Sequence, residues 1–287
     1  MKVTILEPSG YCAGVEHAVK VAIETKDKNP SRSVVVLGML VHNQDSLKEL
    51  EKHGIKTINK QNCSYEQLVD EIKEQSVVIL TAHGHAKVIE EKLLKNGHEI
   101  VDATCPFVKQ SFESILEAVK NGKEVFYIGV KNHPEAIAAL SLSEKVHLID
   151  IKEGILPKIS SKSPMVISQT TLSRFEVEEL SKNIKKDYPN AEFLDGICNA
   201  STKRQEALMN LSEDIELVYI VGGANSNNSK TLFNLAKKLY PNKQVKLIQN
   251  ANDVNKKDLL GLSHIAISSG ASTPKEVISG IKDKLLN

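Results

Sequence analysis

The chain has 287 residues, 41% of them apolar and 25% charged, enough to bury a real core and in the range of two or three small domains. Its 37 lysines and arginines nearly cancel its 36 aspartates and glutamates, and no basic run is long enough for a nucleic-acid or lipid-headgroup footprint, so the expected partner is a small molecule, with no nucleic acid and no membrane. The opening "MKVTILEPSGYC" lacks the apolar region of a signal peptide, and the longest apolar-rich run, Val34 to Val41, falls far short of the roughly 18 residues of a membrane span; a cytoplasmic location is expected, where four cysteines serve metal binding, catalysis or burial before disulfides.

Taken in chain order, the predicted elements come round three times. The β-type run "KVTILEP" leads into Cys12 and a helix-period stretch, "VEHAVKVAIETK"; the strand "SVVVLGML" then enters the polar turn "VHNQ" with His42. A short helix, the strand "IKTIN", a less regular helical stretch and a third major strand follow, the last ending in "TAHG" with His83. The second round runs "HEIVDATC" with Cys105, helix "VKQSFESILEAVKNG", strand "EVFYIGV", turn "NHPE" with His133 and Glu135, a short helix, strand "KVHLID", a less regular helical stretch, and a strand ending in "SQTT" with Thr170. In the third come "AEFLDGIC" with Cys198, helix "TKRQEALMNLSEDI", strand "ELVYIVGG", turn "NSNNS" with Ser226, Asn227 and Asn228, strand "VKLIQN", and a strand ending in "SGAS" with Ser272. Cys12, Cys105 and Cys198 stand 93 residues apart, twice over. His42, His133 and Ser226 lie 30, 28 and 28 residues after their cysteines, and His83, Thr170 and Ser272 lie 71, 65 and 74 after them.

The third round closes on the helix "EVISGIKDKLLN" and supplies no strand towards a further cysteine, whereas the chain starts with an orphaned one. The N-terminal strand is therefore expected to complete the third sheet. That gives an α/β fold of three similar domains, residues 13–104, 105–197 and 198–287 with strand 1–12, closing a ring around a pseudo-threefold axis. Alternating strands and helices imply largely parallel sheets, which take ligands at the carboxyl ends of their strands, where all nine repeat positions fall.

Three thiols, one per domain and each at a helix N-terminus that favours the thiolate, suit a metal near the axis. Zinc would want a fourth ligand, which a histidine could supply; an iron–sulfur cluster held by three cysteines would keep one iron open. Cys63 has no counterpart and reads as a buried small side chain, and His85 as an ordinary histidine. The imidazoles of His42, His83 and His133, the hydroxyls of Thr170, Ser226 and Ser272 and the amide of Asn228 form a hydrogen-bonding shell with few fixed charges, suited to an anion with many oxygens such as a diphosphate. Glu135 is the carboxylate inside a motif turn, hence a candidate proton donor, and after Pro134 it also satisfies a helix dipole. An isomerising or dehydrating iron–sulfur enzyme would share such a site without needing external electrons, and a metal-responsive binding protein would show no turnover.

The set "GYCAGVEHA", "VHN", "TAHG", "DATCP", "HPE", "QTTL", "RQEA" and "GASTP", in this order across the whole chain, closely resembles the 4-hydroxy-3-methylbut-2-enyl diphosphate reductases, the IspH/LytB family of the non-mevalonate isoprenoid pathway. The resemblance implies a trefoil of three α/β domains around a 4Fe-4S cluster with one open iron, and a two-electron reductive dehydroxylation giving isopentenyl and dimethylallyl diphosphates, fed by a ferredoxin or flavodoxin. On it, Cys12, Cys105 and Cys198 match the cluster ligands; His42, His83, His133, Ser226, Asn228 and Ser272 match the diphosphate-binding positions; and Glu135 and Thr170 match the residues linked to protonation and to the substrate hydroxyl. Where the family commonly reads Ser-Ser-Asn this chain reads Ser226-Asn227-Asn228, which leaves a backbone N–H contact at Asn227 and puts a side-chain contact there in question.

Overall fold

The computed structural model describes residues 1–60 and 62–287. In chain order it contains β1 (Lys2–Ile5), α1 (Ala13–Lys28), β2 (Ser33–Leu37), α2 (Gln44–Lys52), β3 (Lys56–Ile58), α3 (Tyr65–Asp70), β4 (Ser76–Leu80), α4 (Lys87–Lys95) and β5 (Glu99–Asp102). There follow α5 (Pro106–Lys120), β6 (Val125–Gly129), α6 (Pro134–Ser141), β7 (Val146–Asp150), β8 (Met165–Ser168), α7 (Arg174–Asp187) and β9 (Glu192–Phe193). The last third holds α8 (Asn199–Met209), β10 (Leu217–Val221), α9 (Asn227–Leu239), β11 (Gln244–Ile248), two short 3-10 turns at Ala251–Asp253 and Lys256–Leu259, β12 (His264–Ser269) and α10 (Lys275–Leu286).

The strands form three four-stranded sheets, all parallel, in the orders β3-β2-β4-β5, β7-β6-β8-β9 and β1-β12-β10-β11. Reversing the third list gives the same order as the other two, with β1 in the place of β5 and β9. The N-terminal strand thus lies beside β12, with Lys2 opposite His264 and Ile5 opposite Ile267. Side chains reinforce the pairing: Thr4 Oγ1 is 2.8 Å from His264 Nε2, and His264 Nδ1 is 2.8 Å from Asp214 Oδ2.

The alternation within each strand explains why these runs are apolar throughout. Val125 and Tyr127 of β6 pack on one face of their sheet, with Ile115 and Ala139, while Phe126 and Ile128 pack on the other, with Leu180 and Ile184. β10 divides likewise, Leu217, Tyr219 and Val221 against Ile278 and Ile281, Val218 and Ile220 against Leu208 and Leu232. A parallel strand covered on both faces has no polar side to show. The helices present buried stripes at helical spacing, as with Val108, Ser111, Ile115 and Ala118 of α5.

The chain divides into two compact units. One comprises Met1–Val15, His42–Lys48 and Cys198–Asn287 and carries the sheet closed by β1; the other comprises Glu16–Val41 and Glu49–Ile197 and carries the remaining two sheets. Two expected helical stretches differ. No helix forms between β7 and β8, where Gly154 takes a positive φ and Pro157 and Pro164 withhold N–H groups; Glu124 instead gathers the segment by accepting from the N–H groups of Ser160 and Ser161. Helix α8 stops at Met209, six residues before the end of the predicted run, because Ser212 bonds to Asp214 in a local turn that competes with further helix. Among the described residues, no helix is long and apolar enough to cross a membrane.

Candidate active site

Glu135 sits in the first turn of α6, behind Pro134 at the first helical position and His133 at the cap. The cap is made by the imidazole: His133 Nδ1 accepts the Glu135 N–H at 3.2 Å, so a neutral ring carries its proton on Nε2. Glu135 itself is 1% exposed. Its Oε1 accepts the Thr170 N–H at 2.8 Å and the Tyr127 hydroxyl at 3.2 Å, and its Oε2 takes the Thr170 hydroxyl at 2.9 Å. Burial pushes its pKa up from 4.5 to about 7, against the pull of those bonds from Thr170 and Tyr127. A carboxyl balanced at neutrality, with a hydroxyl against one oxygen, is equipped to give and take a proton.

His83 lies on the turn that leaves β4, and its ring meets that of His133 edge to face, centroids 5.6 Å apart. Gly84 shapes this turn. Its φ of +81° and the Phe112 ring, 2.6 Å from where a Cβ would stand, both call for glycine. Cys105 caps the N-terminus of α5, and its N–H donates to Ala82 O on the same turn, 3.0 Å away. These groups all belong to the larger unit.

In the other unit, Cys12 immediately precedes α1 and Cys198 caps α8. A run of hydrogen bonds joins them. Cys198 Sγ donates to Ser201 Oγ at 3.3 Å, Asn228 Nδ2 donates to the same oxygen at 3.1 Å, Asn228 Oδ1 accepts from the Ala271 N–H at 2.9 Å, and Ala271 O accepts from the Cys12 N–H at 3.0 Å. Arg204, 2% exposed, bonds to backbone carbonyls two residues from each cysteine and to one further carbonyl: Nη2 donates to Gly10 O at 2.7 Å, Nη1 to Ala200 O at 3.0 Å and Nε to Ser269 O at 3.1 Å. Burial lowers its pKa, and negative charge at Cys12, Cys198 and Glu7 opposes that shift. No disulfide links any of the four cysteines; Cys63 packs against the core of its own sheet with Ile58, Tyr65 and Ile72.

The remaining expected anion contacts of this unit occupy turns at strand ends. His42 directly precedes Asn43, whose Oδ1 caps α2 by accepting from the N–H groups of Asp45 and Ser46. Gly223 lets the His42 backbone approach, since a Cβ there would stand 2.4 Å from His42 O. Burial and the nearby Lys230 lower the His42 pKa to about 4, leaving a neutral imidazole at physiological pH. Ser226 caps α9 by accepting the Ser229 N–H at 3.3 Å, which leaves its own proton to donate outward, and Asn227 is the first residue of that helix. Ser272 is 7% exposed and its hydroxyl, buried, forms no hydrogen bond with any described residue, a cost that a ligand oxygen would relieve.

Three of the residues described in these two units carry little signal in the sequence. Tyr127 reads as one more apolar strand position, Ser201 as helix surface, and Arg204, inside the quoted "RQEA", as part of a helix-period run. The signal for Arg204 was its place six residues after a repeat cysteine on the first turns of a helix. For Tyr127 the one mark is a tyrosine at the matching strand position of the third repeat, Tyr219, which by itself reads as packing.

Comparison with known proteins gives the family. A family model described as LytB protein matches residues 3–286. The 4-hydroxy-3-methylbut-2-enyl diphosphate reductase of Malacoplasma penetrans (strain HF-2) is 36% identical over 283 residues, covering 96% of this chain and 93% of that protein. Its counterpart in Symbiobacterium thermophilum is 34% identical over 285 residues, covering 98% and 95%. Among solved structures, the E-1-hydroxy-2-methyl-but-2-enyl-4-diphosphate reductase from Plasmodium falciparum aligns with a TM-score of 0.89 at 27% identity, over all of this chain and 88% of that one. A structure of (E)-4-hydroxy-3-methyl-but-2-enyl diphosphate reductase, the terminal enzyme of the non-mevalonate pathway, aligns at 0.69 with 31% identity, over 100% and 99%. Relatives of this identity cover the chain end to end, and it belongs to the LytB protein family.

Proposed function

We propose that the chain reduces (E)-4-hydroxy-3-methylbut-2-enyl diphosphate to isopentenyl and dimethylallyl diphosphates, the last step of the non-mevalonate pathway. Two electrons and two protons enter, a C–O bond breaks, and the hydroxyl leaves as water. The observation that carries this reading is the buried Glu135, poised near neutrality against the Thr170 hydroxyl. Protonating a hydroxyl is what makes it a leaving group, and the pair can do so by one concerted shift: Glu135 gives its proton to Thr170 Oγ1, and the Thr170 proton passes to the departing oxygen.

The donor set fits an iron–sulfur group. Three thiols, two at helix N-cap positions and one just ahead of a helix, with no disulfide between any pair, are soft ligands whose metal-bound form the helix N-termini would favour, and Arg204 sets a positive charge near two of them. Cys12, Cys105 and Cys198 would hold a 4Fe-4S cluster with one iron left open. When bound, such a cluster supplies the electrons, received from a ferredoxin or flavodoxin, and a Lewis-acidic iron. We assign the diphosphate to His42, His83, His133, Ser226, Asn228 and Ser272, with the Asn227 backbone N–H at the α9 terminus. The neutral His42, the Nε2–H of His133 and the unengaged Ser272 hydroxyl support this, since they donate to oxygen without fixing a charge. We further read each sheet with its helices as a domain, residues 13–104, 105–197 and 198–287 with 1–12, and place the enzyme in the cytoplasm.

The test is turnover by anaerobically purified, cluster-loaded protein given the hydroxylated diphosphate and a reduced one-electron donor. Consumption of donor only when substrate is present, with both five-carbon diphosphates as products, is expected. Isomerised or dehydrated product without electron consumption, or binding without turnover, refutes the assignment.

A further inference from the structure

Tyr127 enters the site from inside the core. It is fully buried on β6, its ring among Ile115, Ala136, Ala139 and Ile167, and its hydroxyl donates to Glu135 Oε1 at 3.2 Å. The route is built for it. At Gly129, two residues further along the same face of the strand, an added Cβ would stand 2.9 Å from Tyr127 Cε1 and 3.3 Å from the Ala136 Cβ, so a glycine and an alanine leave the space in which the ring reaches Glu135. The third repeat carries the same residue at the same strand position, Tyr219, also fully buried, and there the hydroxyl makes no hydrogen bond among the described residues. A strand tyrosine in this fold therefore need not be polar in function; the one under α6 is.

We propose that Tyr127 is a positioning residue that decides which oxygen of Glu135 carries the proton. This rests on the reading of Glu135 as the acid. Oε1 already accepts two donors, the Thr170 N–H and the Tyr127 hydroxyl, so a proton added to the carboxyl goes to Oε2, which faces Thr170 Oγ1. Tyr127 aims the acid at the hydroxyl that hands the proton onward. In the ionised form the carboxylate accepts three donors, and removing one destabilises that form. The groups facing Glu135 are Tyr127 from β6, Thr170 from the turn after β8, and His133 at its own cap with His83 behind it.

The test compares Tyr127→Phe, which keeps the ring and removes the hydroxyl, with Tyr219→Phe as the matched control, both as anaerobic, cluster-loaded full chains. One readout is infrared titration of substrate-free protein, following the carboxylic acid C=O band that disappears in Glu135→Gln. In Tyr127→Phe its midpoint is expected to rise by about one pH unit, the size of one hydrogen bond to a charged group. The second readout is the pH profile of kcat: the alkaline limb moves up with the infrared midpoint, the plateau falls by less than the about 10²-fold expected for losing the acid, and KM stays within about twofold. Tyr219→Phe moves neither readout. An unchanged midpoint in Tyr127→Phe, or an equal shift in Tyr219→Phe, overturns the proposal. If the wild type fails to turn over the diphosphate, the functional reading falls, while the infrared midpoints still show whether Tyr127 governs the Glu135 proton.

Discussion

Replacing Glu135 by glutamine separates chemistry from architecture. The amide reproduces the protonated acid: its oxygen can keep accepting from the Thr170 N–H and Tyr127, and its NH2 can donate to Thr170 Oγ1. It cannot give up a proton. Turnover is expected to fall by about 10²- to 10⁴-fold with iron and sulfide content unchanged. Stability should move the other way. A carboxyl with a folded pKa of about 7 and an ordinary value of 4.5 leaves the native state at its most stable below pH 4.5 and costs it progressively as pH rises towards 7. The shift of roughly two and a half units corresponds to about 3 kcal/mol. The stability of Glu135→Gln relative to wild type should therefore grow by about that amount between pH 4.5 and pH 8. Anaerobic urea unfolding at both pH values, beside single-turnover kinetics, measures the two effects. Parallel pH dependence in the two proteins, or near-normal turnover in the variant, refutes the argument.

Changing Cys12, Cys105 or Cys198 to serine should each cost the cluster, by iron and sulfide analysis, whereas Cys63→Ser, inside an apolar cluster, should leave iron content intact and lower stability by no more than about 1 kcal/mol. Deleting residues 1–8 removes an edge strand and the Thr4 contact to His264; we expect the third sheet to lose about 2–4 kcal/mol, read by thermal unfolding. His42→Ala should raise the dissociation constant for the diphosphate about 10-fold with a smaller effect on single-turnover rate, and the wild-type imidazole should titrate in NMR near pH 4 before ligand is added. Arg204→Met removes three backbone hydrogen bonds and a buried charge beside two thiols, so the cluster should be lost several times faster under a chelator, with unfolding eased by about 3 kcal/mol.

Much of this was readable from the sequence because it sits where a parallel strand gives way to a turn. There, apolar periodicity stops and polar residues stand out, so Cys105, His133, Thr170 and Ser226 could be located by counting from one repeat to the next. The order of strands followed from the same count, including the place of β1. Tyr127 stayed hidden because a tyrosine within a buried strand looks like packing, and only the space over Gly129 shows that its hydroxyl reaches a carboxylate. Asn228 was expected to face an anion; its amide is also engaged on both sides, with Ser201 and Ala271, a bracing role that residue type alone does not reveal. The stretch between β7 and β8 misled because its apolar residues, Ile155, Leu156 and Ile159, have helix-like spacing while its prolines and glycine forbid the backbone.

The pairing of β1 with β12 orders events during synthesis. Residues 2–5 are synthesised long before their hydrogen-bonding partners at 264–267, so β1 waits without β12 while everything between them is made. At about 5–20 residues per second that wait lasts tens of seconds. Arg204 compounds the delay, since its guanidinium gathers Gly10, Ala200 and Ser269 and cannot do so until all three exist. The backbone that carries Cys12 and Cys198 therefore takes its final place only after elongation has passed β12.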